Sequence, residues 1–216
     1  MSEIISTYHL NFNPNAHPMD RDHFYKEQAE VFRTTGEPSL AVGIFDVILF
    51  TEQKEIILQK RSNRKNHNPY LIDKTVGGHI QYGDSPFYTA MIECVQEMRV
   101  PAIVLRQEEN FKHTFEILHK SVENAAILEL VDNNIYNIDN IINGERITFA
   151  KNIWMFVGIY GGPIKPVDRE ASGILYYELD TLRDEMNHMP ELFTPDLHFM
   201  LPKYQKAFDR LFGMLD

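Results

Sequence analysis

The sequence predicts an α/β domain, and three features carry that expectation. Apolar, strand-like runs recur at residues 40–51, 55–61, 125–131 and 154–160. Between the second and third runs lies residues 87–98, free of Gly and Pro, with Ala90, Met91, Cys94, Val95 and Met98 at helical spacing. A last helical segment, residues 195–212, follows the strands and is expected to break near Pro202.

Taken in order, residues 1–36 read as an N-terminal, largely helical extension, and residues 37–216 as the main domain. Residues 13–18 are loop-like, and residues 19–33 form a helix stopped by Gly36 and Pro38. The strands 40–51 and 55–61 are joined by a turn at residues 52–54. Thr75-Val-Gly77-Gly78-His79 then runs into a double glycine, where the backbone can turn or approach a ligand closely. Tyr82-Gly83-Asp84-Ser85-Pro86 leads into the helix at 87, with Asp84 or Ser85 as N-cap and Pro86 in the first turn. A strand at 102–105 and a helix at 108–119 are expected next. Residues 133–144 are rich in Asn and Asp and read as turn-like. A strand at 173–179 and a short helix at 181–189 precede the final helical segment.

Composition bounds the function classes. With 216 residues, 44% hydrophobic and 24% charged, the chain can bury a sizeable core. A formal charge of -10 disfavours nonspecific nucleic-acid binding. A single cysteine excludes an internal disulfide and suits a reducing cytoplasm. The first residues lack the basic, then apolar, pattern of a signal peptide, and no run approaches the ~20 apolar residues of a membrane span.

The chemistry concentrates around the double glycine and the helix after it. Glu93 and Glu97 are four residues apart, so both carboxylates stand on one helix face, and the Gln96 amide oxygen can join them. Two carboxylates beside a glycine-rich turn make a hard, oxygen-rich site suited to Mg²⁺ or Mn²⁺. On most helices such a pair is merely a solvated face. The double glycine and the Gly-Asp turn beside it favour the site.

Residues 78–100 resemble the box of the Nudix hydrolase superfamily, whose pattern is Gly, five residues, Glu, seven residues, then Arg-Glu-aliphatic-x-Glu-Glu-x-Gly-aliphatic. The spacing fits without a gap. The resemblance extends to Ile56 through Lys65, to Gly77-Gly78-His79 and to Phe193-Thr194-Pro195, which are similar to the branch related to isopentenyl diphosphate isomerase. It implies the Nudix fold, an α/β/α sandwich around a mixed sheet, with the box as loop–helix–loop. It further implies a metal held by Glu93 and Glu97, with the Gly78 carbonyl and Gln96 as further ligands, and catalysis by Glu93, Glu97 and Glu170, the last outside the box. Asp168 is the weaker candidate for that outlying carboxylate, and the segment around both reads equally as an exposed charged turn.

The box is degenerate. Asp84 stands for its first Glu, Ile92 for its Arg, Gln96 for one metal-binding Glu and Arg99 for its Gly. Val100-Pro101 is then expected to stop the helix. Lys60, Arg61, Arg64 and Lys65 make a local basic cluster that suits a small-molecule diphosphate, with Arg61 and Lys65 as substrate contacts, though such a run also reads as a solvated turn; His79 reads equally as a third contact or as a hydrogen-bonded structural histidine. Cys94 takes an aliphatic box position, which points to core packing. The isomerases of that branch use a cysteine upstream of the box, and none precedes Cys94 here. Two readings stay open: a metal-dependent hydrolase of a nucleoside diphosphate derivative or similar compound, and a Nudix-fold ligand-binding module. A homodimer is an expectation of the family resemblance alone.

Overall fold

The computed structural model describes residues 3–10, 15–65, 68–142, 144–167 and 171–216. Its elements run β1 (Ile4–His9), β2 (His17–Asp20), α1 (Arg21–Thr35), β3 (Leu40–Phe50), β4 (Ile56–Arg61), β5 (Ile72–Asp73), β6 (Val76–His79), α2 (Pro86–Met98), β7 (Ala102–Leu105), α3 (Glu108–Leu118), β8 (Ala126–Ile142), β9 (Glu145–Ile159), β10 (Ala171–Tyr177), α4 (Leu179–His188), α5 (Pro195–Lys203) and α6 (Gln205–Phe212).

All strands belong to one mixed sheet, whose main path is β10-β4-β3-β9-β8-β7. The strand β3 is buried along its whole length. One of its edges pairs in parallel with β9. Its other edge is shared by three partners in succession: β1 at residues 40–42, β6 at 44–47 and β4 at 49–50. The sheet therefore splits around β6, and that split positions the site.

Period-2 alternation sorts the β3 side chains between two layers. Phe45, Val47 and Leu49 meet Ala90, Cys94 and Met98 of α2 on one face. Ile48 and Phe50 meet Phe111 and Phe115 of α3 and the apolar sides of α4, α5 and α6 on the other. The sheet thus lies between helices, as expected. At one end α1 packs Phe24 and Ala29 onto Val42, Ile44, Ile147 and Phe149.

One expectation is corrected. Residues 133–142 are not a turn; they continue β8, pairing residue by residue with β9 from Asn133–Trp154 to Ile142–Glu145. Cross-strand hydrogen bonds and the burial of Ile138 and Ile147 outweigh the turn preference of Asn and Asp. The C-terminal helical segment breaks at Tyr204, near Pro202 as expected, with Pro202 itself carried inside α5. None of the described helices is long and apolar enough to cross a membrane.

Candidate active site

The box helix α2 forms because an uninterrupted helical run follows a good N-cap. The Ser85 side chain accepts a hydrogen bond from the Tyr88 backbone N–H, and Pro86 opens the first turn. The helix ends on Arg99, whose φ of 57° and ψ of 34° are left-handed, with its N–H donating to the Val95 carbonyl. The stop comes from Arg99 itself, in the conformation the missing glycine would have taken without steric cost, rather than from Val100-Pro101.

Of the predicted site residues, Gly78, His79, Glu93, Gln96, Glu97, Arg61 and Lys65 all line one cavity of about 890 Å³. Arg64 lines it too. Glu97 is buried, Glu93 half-buried and Gln96 exposed. Glu170 and Asp168 lie outside the described residues. Arg61 is less available than its sequence position suggests, because its guanidinium holds Asp73 at 2.8 Å and the Asn68 carbonyl at 3.2 Å. Lys60 is exposed on β4 and does not line the cavity.

Gly77 is required by packing. A Cβ there would sit 2.3 Å from Lys74 Cε and 2.7 Å from Asp46 Oδ1. Those atoms belong to a buried ionic chain that sequence reasoning missed. Lys74 Nζ lies 2.7 Å from Asp46 and 3.1 Å from Asp196, and Lys151 Nζ lies 2.6 Å from Asp196. Asp73 joins Arg61 to the hydroxyl of Thr194, which donates to it at 2.8 Å. The Phe193-Thr194-Pro195-Asp196 segment is thereby clamped beneath β5 and β6. The signal available in the sequence was a charge inside an apolar run: Asp46 in the middle of β3, and Lys151 in β9.

Burial alone would raise the Asp196 carboxyl, but Lys151 and then Lys74 hold it far below the ordinary carboxylate range. Asp46 goes the other way: burial dominates and pushes it up to about 6 against the pull of Lys74. Burial would lower the Lys74 ammonium, yet Asp196 and Asp46 keep it charged.

The N-terminal segment supplies another wall that the sequence did not reveal. Tyr25 of α1, whose phenol is kept protonated by burial, lies with its hydroxyl 2.8 Å from His79 Nε2. Glu3 and Arg21, paired at 3.0 Å, line the same cavity.

Among the described residues no three His, Cys, Asp or Glu side chains converge as a ready metal cage. The available donors are two carboxylates, the Gln96 amide oxygen and the Gly78 carbonyl. All are hard oxygens, and Mg²⁺ commonly takes one or two protein carboxylates while keeping several waters. The donor set fits such an ion. Cys94 does not belong to it: burial first, and then Glu97 and Glu93, push its thiol up, so no thiolate forms at neutral pH.

No family model matches the chain. The mixed sheet between helical layers, with β6 leading through a turn into the helix α2, defines the Nudix fold, in keeping with the box resemblance. The structure of DR0079 from Deinococcus radiodurans superposes with a TM-score of 0.56 at 12% identity, covering 93% of this chain and 98% of that one. A Nudix-family hydrolase from Clostridium perfringens gives a TM-score of 0.46 at 14% identity, covering 79% of this chain and 98% of the other. Among curated proteins, an isopentenyl-diphosphate Delta-isomerase from Jannaschia sp. (strain CCS1) is 26% identical over 152 residues, 69% of this chain and 72% of that protein.

Proposed function

We propose that this chain is a divalent-metal-dependent hydrolase of a diphosphate linkage, acting in the cytoplasm on a nucleoside diphosphate derivative or similar compound. The observation that carries the reading is the convergence of Glu93, Gln96 and Glu97 with Gly78, Arg64 and Lys65 on one cavity. Glu93, Gln96, Glu97 and the Gly78 carbonyl would hold Mg²⁺ or Mn²⁺. When bound, such an ion neutralises diphosphate charge and acidifies water. Arg64 and Lys65 meet the phosphates at the cavity rim, where charge-assisted contacts orient them. His79, anchored through Tyr25, contacts the substrate. Glu93 or Glu170 takes the proton of the attacking water. An isomerase reading is disfavoured, since the one cysteine is buried in the core and kept protonated.

The test is phosphate release from a panel of nucleoside diphosphate derivatives with Mg²⁺ or Mn²⁺, comparing the wild type with Glu97→Gln. Turnover that disappears in the variant supports the hydrolase. A second reading, a ligand-binding module, is favoured by the uncharged Gln96 and by Ile92 in place of the bracing Arg. Absence of turnover on every compound, with thermal stabilisation by one of them retained in the variant, would select it.

A further inference from the structure

The sheet divides the cavity into two compartments. Gly77 and Gly78 face opposite sides of β6: a Cβ at Gly78 would touch the Phe45 ring, on the side of α2, whereas one at Gly77 would strike Lys74 and Asp46. Among the described strands β6 pairs with β3 alone, and Gly77, Gly78 and His79 all line the cavity, which runs around that strand. The carboxylates of α2 stand on the first side. The second side holds Lys74, Lys151 and Asp196, with Tyr25 and Phe149, whose rings meet edge to face at 5.1 Å.

Lys151 is the polar group of this second compartment that the fold does not saturate. It is 6% exposed and lines the cavity. An ammonium carries three N–H donors. Among the described residues only one of them is used, by Asp196 at 2.6 Å. Lys74, by contrast, lies between Asp46 and Asp196. Phe149 stands two residues before Lys151 on β9 and shares its face. A buried, charged donor with capacity left over, beside an aromatic wall, is a recognition site that the metal-binding oxygens do not account for.

Charge balance narrows what this site recognises. Positive side chains on this side are matched, Lys74 and Lys151 by Asp196 and Arg21 by Glu3, so no excess charge draws a second anion. An alkyl chain lying over Lys151 would desolvate its ammonium and offer no acceptor in return. A ring bearing hydroxyl groups meets every feature. Its oxygens accept from the ammonium, its hydroxyls donate to Asp196, and its C–H face lies on the aromatic wall.

We propose that Lys151 is a specificity-determining residue: with Asp196 it binds a glycosyl group carried by the diphosphate, and so selects a nucleoside diphosphate bearing such a group over an alkyl diphosphate. This rests on the diphosphate reading of the cavity. The glycosyl group lies across β6 from the metal ligands, and Lys151 governs its binding rather than the hydrolytic step.

The experiment is calorimetry of the full chain with ADP, GDP, CDP and UDP, with the glucose conjugate of each, and with isopentenyl diphosphate. A chelator is present throughout, so no metal-dependent turnover interferes. At least one conjugate is expected to bind about tenfold or more tighter than its parent nucleoside diphosphate, the worth of hydrogen bonds to a charged group. Lys151→Met should bring the two affinities together, whereas a merely structural role would lower both alike and leave their ratio. Thermal unfolding shows whether that variant is folded; if it is not, Lys151→Gln, which keeps N–H donors without the charge, should lower the ratio in the same sense. Conjugates that bind no tighter than their parents, a ratio untouched by the folded variant, or tightest binding by isopentenyl diphosphate would each overturn the proposal. The readout is binding alone, so a chain that shows the Lys151-dependent preference yet hydrolyses nothing with Mg²⁺ upholds this inference and sinks the hydrolase.

Discussion

Replacing Asp196 by Ala tests whether the ionic chain beneath the cavity holds the fold. Asp196 accepts from Lys151 at 2.6 Å and from Lys74 at 3.1 Å. Each attraction at ~3 Å and an effective dielectric of ~20 is about 5 kcal/mol before desolvation, which offsets most of it. Asp46, Asp73 and Asp196 balance Arg61, Lys74 and Lys151, so the variant leaves one uncompensated positive charge. Lys74 keeps Asp46, whereas Lys151, only 6% exposed, loses the partner it had. Breaking a buried pair costs about 3–5 kcal/mol. The low end applies here, because the cavity gives the Lys151 ammonium a route to water. A loss of about 3 kcal/mol corresponds to a midpoint roughly 6–12 °C lower in thermal unfolding. Restoring neutrality with Lys151→Met in the Asp196→Ala background should recover part of that loss, a positive coupling in a double-mutant cycle. A single variant within about 1 kcal/mol of the wild type, or a double variant weaker than the sum of the singles, would refute the reasoning.

Three further outcomes follow from the same structure. Asp46 has a folded pKa of about 6, above the usual carboxylate value. Its burial therefore costs stability fully above pH 6 and progressively less as pH falls towards the unfolded value near ~4. Asp46→Asn should flatten that part of the curve of urea midpoint against pH, and an unchanged slope would contradict it. Asp196, held low, acts oppositely, its stabilisation being lost only as pH falls below the ordinary carboxylate range. Gln96→Glu adds a third carboxylate to the metal site and should tighten Mn²⁺ binding in calorimetry; no change would place the amide outside the coordination shell. Arg99→Gly should stabilise the chain by about 1 kcal/mol in chemical denaturation, because glycine takes a φ of 57° without strain. A neutral or destabilising result would mean that Arg99 is not strained there.

The regular elements of this protein could be read from the sequence because local physics dictates them. The apolar run of β3, the helical spacing within α2 and the stop of α1 at Gly36 are each written within a dozen residues. The pairing of Glu93 with Glu97, and their approach to Gly78, follows from one helix joined to one turn. The failures have a common cause. Asn133 through Asn140 carry turn-forming side chains, yet a partner strand at 145–154 satisfies their backbone, and that partner is invisible to a local window. Lys74, Lys151 and Asp196 look like ordinary surface charges when each is read alone. They become a buried ionic chain only because the split in the sheet at β6 and the docking of α5 remove them from water together. Tyr25 meets His79 across 54 residues for the same reason. Chain chemistry fixed most of the helical and extended segments and set Glu93 and Glu97 on one helix face. Tertiary folding alone decided which charges lose their solvent and must find each other, because burial is a property of the assembled layers and of no single segment.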